Sequence, residues 1–204
     1  MRGIDVSHYQ GQIDWIAAAR NGVDFAFIKA TDGAVNTDPQ FQSNWRAARS
    51  AGILCGAYHF LRPSDDAKAQ GNHFSAIAAL DDQALPPALD IEVAENVTPS
   101  LVEAAIIDWI GVVEKAFKVR PILYTSPTFW RERVSANFQS YPLWLACYDQ
   151  EPEMPPFWHN WTFWQHSASG KVAGINSSVD LNVFYSDIND LKNLCIGKQS
   201  NVTG

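Results

Sequence analysis

The feature that most limits the possible folds is a regular alternation of short apolar segments with amphipathic helical patterns. Strands are predicted at residues 3–7, 23–31, 53–60, 87–92, 121–126 and 142–148. Between them, helices are predicted around residues 13–22, 38–52, 65–80 and 98–118, and Asp38 and Pro39 are expected to begin the second of these. Alternating strands and helices are typical of parallel α/β proteins, and 204 residues suit a single domain.

The alternation weakens in the last third of the chain. The segments "WTFWQHS" and "SVDLNVFY" have strand character with no good helix between them, and a last helix is predicted over residues 187–194. Eight predicted strands therefore indicate an irregular single-domain (β/α) TIM-like barrel, with helices missing or degenerate in the C-terminal third. A doubly wound open sheet is the alternative. Residues 1–196 are predicted to form the barrel, residues 197–204 a flexible tail, and no further domain is expected.

Two carboxylates interrupt the apolar strand "PPALDIEV", residues 86–93. Side chains two positions apart on a strand share a face, so Asp90 and Glu92 are expected side by side, with Ile91 packing on the other face. Adjacent anions on an apolar strand repel each other and lose solvation, which costs stability. A strand end with two solvated acids is the simpler interpretation. A functional pair is the other.

Further acids and aromatic residues are expected at the same edge of the sheet. Asp5 lies in or at the end of the first predicted strand, and Asp180 belongs to the last. Ligands collect at the carboxyl ends of parallel strands, so Asp5, Asp90, Glu92 and Asp180 should converge there. Aromatic and polar side chains occupy comparable strand ends: Tyr58, His59, Phe60, Tyr124, Trp144, Tyr148, Gln165 and His166.

Clustered acids in an aromatic-lined cleft suit glycoside hydrolysis. One carboxylic acid protonates the leaving oxygen, and another anion stabilises or attacks the oxocarbenium-like centre. Crowded carboxylates also raise the pKa of at least one member, which keeps a proton available near neutral pH. The eight tryptophans exceed what a core of this size needs, and surplus aromatic rings often line sugar-binding clefts, although core packing is expected to account for more than half of them.

Composition and motif spacing exclude several other classes of function. The net charge of −7 argues against nucleic acid and anionic membrane surfaces as partners. No apolar run is long enough for membrane insertion, and "MRGIDVSHYQ" lacks the apolar segment of a signal peptide. The three cysteines, Cys55, Cys147 and Cys195, are predicted to be free thiols.

A metal site is the rival chemistry for the acids. His8, His59 and His166 could join them, but no His-Glu-x-x-His or His-x-His spacing occurs. Glycine-rich phosphate loops are also missing from the sequence. We therefore predict neither a metal nor a cofactor.

Seven motifs together resemble glycoside hydrolase family 25, the N-acetylmuramidase lysozymes. They are "GIDVSHYQGQIDW", "FAFIKATDG", "GAYHF", "ALDIE", "LWLACY", "FWQHS" and "VDLNVF", and they extend from about residue 3 to residue 184. The resemblance implies hydrolysis of the β-1,4 bond from N-acetylmuramic acid to N-acetylglucosamine in peptidoglycan, with retention of configuration. It implies Glu92 as general acid, Asp90 as its partner at the 2-acetamido group or the developing charge, and Asp5 and Asp180 as the other catalytic acids. The spacing of Asp90 and Glu92 resembles enzymes in which the substrate acetamide is the nucleophile.

Eight further residues are predicted to contact substrate: Lys29, Asp32, Tyr58, Phe60, Tyr124, Trp144, Tyr148 and Gln165. Trp144 and Gln165 suit structural support equally well, Lys29 is expected to pair with a carboxylate, and His59 is expected to be a hydrogen-bonded structural residue. Asp32 stands where the family often carries glutamate, which leaves the role of that position open.

The resemblance also implies a partner and a place of action. The partner is the peptidoglycan glycan strand, and the protein is expected to be a bacteriolytic monomer. It would act in the cell wall, the periplasm or outside the cell after non-classical export, phage lysis or effector delivery. Two other functions stay open: a non-catalytic glycan-binding module on the same fold, and a metal-dependent polysaccharide deacetylase.

Overall fold

Nine β-strands and seven α-helices lie in the residues that the computed structural model of the protein describes, 1–94, 96–148 and 152–199. The strands are β1 Arg2–Val6, β2 Phe25–Asp32, β3 Asn36–Thr37, β4 Leu54–Phe60, β5 Ala88–Asp90, β6 Ile122–Thr125, β7 Leu143–Ala146, β8 Phe163–Gly170 and β9 Val179–Phe184. The helices are α1 Trp15–Arg20, α2 Phe41–Ser50, α3 Ala67–Ala78, α4 Pro99–Phe117, α5 Pro127–Arg133, α6 Ile188–Asn193 and α7 Ile196–Gln199. A short 3₁₀ helix, His8–Gln10, follows β1.

Eight of these strands close into a barrel. Their order is β1-β9-β8-β7-β6-β5-β4-β2, and β1 also pairs in parallel with β2, which completes the ring. The short β3 only forms a hairpin with β2. This closure confirms the predicted irregular barrel and shows that the open-sheet alternative is wrong.

The last strand runs antiparallel to the others, and this brings its first residues to the edge of the barrel where the parallel strands end. β9 pairs antiparallel with both β1 and β8, and Asp180 lies opposite Asp5 in the β1 register. Because its direction is reversed, β9 begins at the edge where the parallel strands end. The described chain between β8 and β9 contains no helix, as the irregular last third of the sequence predicted.

The barrel interior is filled by aromatic rings. Phe27 stacks on Trp144 with ring centroids 4.4 Å apart, and Phe25 packs against Phe163 at 5.2 Å. Gly3 and Gly56 leave room for these rings, since a Cβ there would lie 2.3 and 2.5 Å from Phe25 and Phe27 respectively. A second apolar layer lies between the outer strand faces and the helices, where Ile91 packs on the side of β5 opposite to Asp90, as expected.

Two predicted boundaries differ from the helix limits in the structure. Helix α2 begins at Phe41 and not at Asp38, because the Asp38 carboxylate instead binds the backbone N–H and Nδ1 of His8 and the N–H of Gln40. The tail predicted from residue 197 begins inside helix α7, where the Ile196 and Gly197 N–H groups donate to Ala84 and Asp82 carbonyl oxygens. The rest of that tail lies outside the described residues.

Within the described part of the chain, no helix combines the length and the apolar character that crossing a membrane requires.

Candidate active site

Four acids from three distant segments line one pocket of about 270 Å³ at the carboxyl end of the barrel. Asp5 comes from β1, Asp90 ends β5, Glu92 lies two residues further on, and Asp180 is the second residue of β9. The sequence predicted this convergence correctly. It placed Glu92 within the strand, whereas β5 ends at Asp90.

Asp5 is held by side-chain amides. Its Oδ2 accepts hydrogen bonds from Asn182 Nδ2 at 2.7 Å and from Gln165 Nε2 at 2.9 Å. The Oε1 atom of Gln165 in turn accepts from the hydroxyls of Tyr124 at 3.0 Å and Tyr148 at 2.9 Å. One buried amide therefore fixes three groups of the pocket wall at once.

Asp5 and Asp180 form one pair of carboxyls. Burial raises the pKa of Asp5 well above its usual value, and the Asp180 charge adds to this against the opposing amide hydrogen bonds. Burial also raises the pKa of Asp180, although its hydrogen bond with Asp5 opposes the shift. Burial therefore favours a shared proton on this pair. Since Asp5 Oδ2 accepts two amide N–H groups, Oδ1 is the Asp5 oxygen that can carry such a proton.

Asp90 and Glu92 form the second pair. Asp90 is only 7% exposed, which contradicts the interpretation of two solvated acids, whereas Glu92 stays open to solvent at the pocket mouth. Burial raises the pKa of Asp90 well above normal, the Glu92 charge raises it further, and Lys29 opposes both. Desolvation by the surrounding protein also raises the pKa of Glu92. Such a pair titrates as a unit and retains a proton to higher pH than isolated carboxyls.

One oxygen of Asp90 lacks a protein partner. Its Oδ1 is buried and has no hydrogen bond among the described residues. A buried polar atom without a partner is costly, so this oxygen adds to the destabilisation that the crowded acids cause.

Aromatic side chains form the pocket floor and rim. Trp144 is 1% exposed, and its Nε1 donates to Asn182 Oδ1 at 2.7 Å, so its indole both lines the pocket and supports it from below. Tyr58 and Tyr124 pack edge-on against Trp144. Burial, and then the nearby acids, raise the pKa of Tyr148 to about 12, which keeps its hydroxyl protonated as a donor.

Lys29 and Asp32 lie at the side of the pocket and bind each other. Lys29 Nζ is 2.9 Å from Asp32 Oδ2, and Arg62 Nε is 2.7 Å from Asp32 Oδ1. Partial burial favours the neutral form of Asp32, but the hydrogen bonds from Arg62 and Lys29 outweigh it and lower its pKa. The expected pairing of Lys29 is confirmed. Asp32, however, faces a neighbouring pocket and does not line the central one.

His59 is a structural residue, as expected. It is fully buried, its Nδ1 bonds Thr31 Oγ1 at 2.7 Å and its Nε2 bonds Gln70 Oε1 at 2.9 Å. Burial lowers its pKa to about 4, so the ring is neutral at physiological pH. The three cysteines are free, as predicted. Among the described residues, no group of three or more His, Cys, Asp or Glu side chains has an arrangement that could hold a metal ion.

Sequence reasoning missed Asn182 and the residues that follow Asp5. Asn182 lies two positions after Asp180, on the same side of β9, and that spacing was the available signal. Tyr9 and Gln10 line the pocket from the 3₁₀ helix, which Ser7 and Gln10 close with reciprocal capping hydrogen bonds. The sequence analysis did not identify Tyr9 and Gln10, because their place in the pocket depends on this 3₁₀ turn.

The family of the chain follows from comparison with known proteins. The family model described as "Glycosyl hydrolases family 25" matches residues 4–175. The chain belongs to glycosyl hydrolase family 25. This finding confirms the resemblance carried by the seven sequence motifs.

Individual relatives agree over most of the chain. Lysozyme M1 of Streptomyces globisporus is 35% identical over 198 residues, which cover 90% of this chain and 67% of the relative. "Uncharacterized protein YegX" of Escherichia coli K12 is 37% identical, covering 94% of this chain and 72% of its own length. The crystal structure of a bacterial lysozyme from Streptomyces coelicolor superposes with a TM-score of 0.92 at 32% identity, covering 97% of this chain and 98% of that one.

Proposed function

We propose that the protein is a peptidoglycan hydrolase, a 1,4-β-N-acetylmuramidase of the lysozyme type. The observation that carries this is the convergence of two proton-sharing carboxyl pairs in one aromatic-lined pocket of a family 25 barrel. Relatives named lysozyme and N,O-diacetylmuramidase support it, among them a Chalaropsis protein that is 32% identical over 97% of this chain. Nothing in the site favours a non-catalytic glycan-binding module.

Glu92 has the position of a general acid. Of the acid pair on this segment it is the member open to solvent, so a glycosidic oxygen can reach it, while Asp90 lies beneath. In the first step the Glu92 proton passes to the leaving oxygen as the C1–O bond breaks. In the second step the same carboxylate removes a proton from the water that attacks C1.

Asp90 suits the acetamide group of the substrate. Its carboxylate lines the pocket and can accept the N–H of a 2-acetamido group, which turns the acetamide carbonyl oxygen toward C1. That oxygen attacks C1 as the leaving group departs, and the bond it forms breaks again when water attacks from the other face. Two inversions at C1 retain its configuration.

Asp5 and Asp180 support the charge of this reaction from the opposite wall. Asp180 faces the pocket where positive charge develops at C1, and its carboxylate can stabilise that charge. Tyr58, Phe60, Tyr124, Trp144, Tyr148 and Gln165 line the same pocket and supply ring faces and hydroxyls to a sugar. The positive charge of Lys29 opposes the rise in the pKa of Asp90 and Glu92. Asp32 holds Lys29 in place through their ion pair.

The wider setting follows from this activity. The partner is the glycan strand of the bacterial cell wall, residues 1–196 are the catalytic barrel, and the enzyme works as a monomer. Entry to the wall by non-classical export, by phage lysis or as a delivered effector is compatible with the same site.

The test is hydrolysis of purified sacculi by wild type, Glu92→Gln and the exposed control Glu132→Gln. Wild type and the control should clear the suspension and release reducing sugar, whereas Glu92→Gln should be slower by at least about 100-fold because the proton donor is lost. Mass spectra should show the new reducing end on N-acetylmuramic acid. Equal activity of Glu92→Gln would contradict the role of Glu92. In a second arm, a covalent ester trapped on Asp90 or Asp180 by a 2-deoxy-2-fluoro glycoside would contradict acetamide participation.

A further inference from the structure

A second pocket opens beside the catalytic one. It has a volume of about 390 Å³ and shares Lys29 with the central pocket. Phe60 separates the two, because its ring lines the catalytic pocket while Lys29 Nζ and Arg62 Cζ each lie 4.5 Å from its centroid. We call this cavity the side pocket. A ligand in the catalytic pocket can therefore extend into it past Lys29.

The side pocket differs chemically from the catalytic pocket. Six ionisable side chains line it, three basic and three acidic: His8, Lys29, Arg62, Asp32, Asp38 and Asp65. Asn36, Thr37 and Pro39 complete the wall, and no Tyr, Trp or Phe of the described residues lines it. Aromatic platforms, which the catalytic pocket has and which suit sugar rings, are therefore missing here.

Five of the six ionisable groups of the side pocket hold one another in place. Asp32 joins Lys29 and Arg62, and Asp38 binds His8 Nδ1 at 2.8 Å. Gly33, at φ +61°, lets the β2–β3 turn approach Arg62 and Asp65, since a Cβ there would lie 3.1 Å from the Asp65 carboxylate. Fixed charges of both signs recognise a ligand that itself carries both signs, because each charge on the ligand then meets an oriented partner.

Peptidoglycan offers such a group beside its sugar chain. The lactyl ether of each muramic acid projects sideways from the glycan axis and carries a short peptide with ionised carboxylates and an amine. We propose that the side pocket binds this stem peptide while the muramic acid occupies the catalytic pocket. The proposal rests on the muramidase function and adds that the enzyme selects peptide-bearing glycan.

The test compares two substrates, uncrosslinked glycan strands with intact stem peptides and the same strands after an amidase has removed the peptides. Reducing-end release gives kcat/KM for each. Wild type should prefer the peptide-bearing strands about tenfold, the effect of one good charge-assisted contact. Asp65→Asn should bring this ratio toward one, while Asp108→Asn, a control on the outer helix α4, should keep it.

Each other outcome has a distinct meaning. Equal kcat/KM of wild type on both substrates, or an unchanged ratio in Asp65→Asn, would overturn the stem-peptide proposal. A dependence of wild type on the length of stripped strands that Asp65→Asn abolishes would make the side pocket a sugar subsite, and the proposal would be wrong. Failure of wild type to cleave either substrate would instead overturn the muramidase function.

Discussion

Side-chain amides of individual residues hold the buried acid Asp5 in position. Asp5 is buried with two side-chain amides on one oxygen, and Asn182 joins Asp5 to the indole N–H of Trp144. Because both partners of Asn182 are buried, its side chain stabilises the barrel floor as well as the pocket.

Asn182→Ala tests this role. The substitution leaves Trp144 Nε1 without its acceptor and Asp5 with one amide fewer, so we expect a loss of about 1–3 kcal/mol in the free energy of unfolding. Urea titrations of the variant and wild type measure it. The exposed control Asn160→Ala should change the free energy by less than about 0.5 kcal/mol. Equal losses in the two variants would show that the hydrogen bonds of Asn182 contribute nothing.

At this scale the sequence predicted residue types better than their contacts. The acids were recognisable because charges in apolar strands are expensive, and their strand ends set a common edge. The link from Gln165 to Asp5 spans 160 positions, and no local pattern signals it. Likewise, Asp38 has the sequence context of a helix cap, yet its carboxylate is taken by His8, 30 positions away.

At the scale of elements, small residues in the strands set how the barrel interior fills. Gly56 on β4 faces inward, where a Cβ would meet the Phe27 ring at 2.5 Å and Leu85 at 3.3 Å. Gly111 on helix α4 faces solvent, and nothing lies within 4 Å of a Cβ built there. The same substitution should therefore have opposite effects at the two positions.

Gly56→Ala and Gly111→Ala form the matched pair. Overpacking against Phe27 should destabilise the first variant by about 1–3 kcal/mol. The second should gain about 0.5–1 kcal/mol, because alanine loses less backbone entropy than glycine in a helix. Thermal unfolding of both variants, compared with wild type, shows whether each substitution stabilises or destabilises the protein. A stabilised Gly56→Ala would mean that the Phe27 ring moves aside easily, and the rigid filling of the interior would be wrong.

Elements with strong local signals were predicted within a few residues. Helix α4 runs from Pro99 to Phe117 against a predicted 98–118, since a proline at its start and a long apolar face mark it. The direction of β9 had no such signal, because the apolar pattern of a strand is the same whether it runs parallel or antiparallel to its neighbours. Only the pairing of β9 with β1 and β8 shows that Asp180 reaches the common edge from the start of its strand.

At the scale of the whole molecule, the stability of the barrel offsets the destabilisation caused by four crowded carboxyls in one site. Burial raises the pKa of Asp5, Asp90, Glu92 and Asp180 above the values of free carboxyls. The alternating strands and the helical layer are readable in the sequence, whereas the aromatic interior is seen only in the structure, and together they supply the stability that this crowding reduces. Evolution commonly retains such strain where catalysis needs it.

The pH dependence of stability follows from the sign of these shifts. A folded-state pKa above the unfolded value means that the folded protein binds more protons across the window between the two, so stability falls as pH rises through it. Replacing Asp90 by Asn removes the deepest charge of the pair with Glu92. We expect Asp90→Asn to be more stable than wild type at neutral pH by about 1 kcal/mol or more, and the gain to shrink toward pH of about 3, below the unfolded-state pKa of about 3.9, where Asp is largely protonated in both states.

Urea unfolding of Asp90→Asn, wild type and the exposed control Glu132→Gln at acidic and neutral pH measures this. The control should follow wild type at every pH, because its carboxyl is exposed on helix α5. The variant should lose hydrolytic activity while it gains stability, since the buried charge that destabilises the barrel is the one proposed to bind the acetamide. An Asp90→Asn protein that is less stable than wild type at neutral pH, or a gain that does not change with pH, would show that Asp90 is well accommodated as an anion and that the pocket is not strained by its charge.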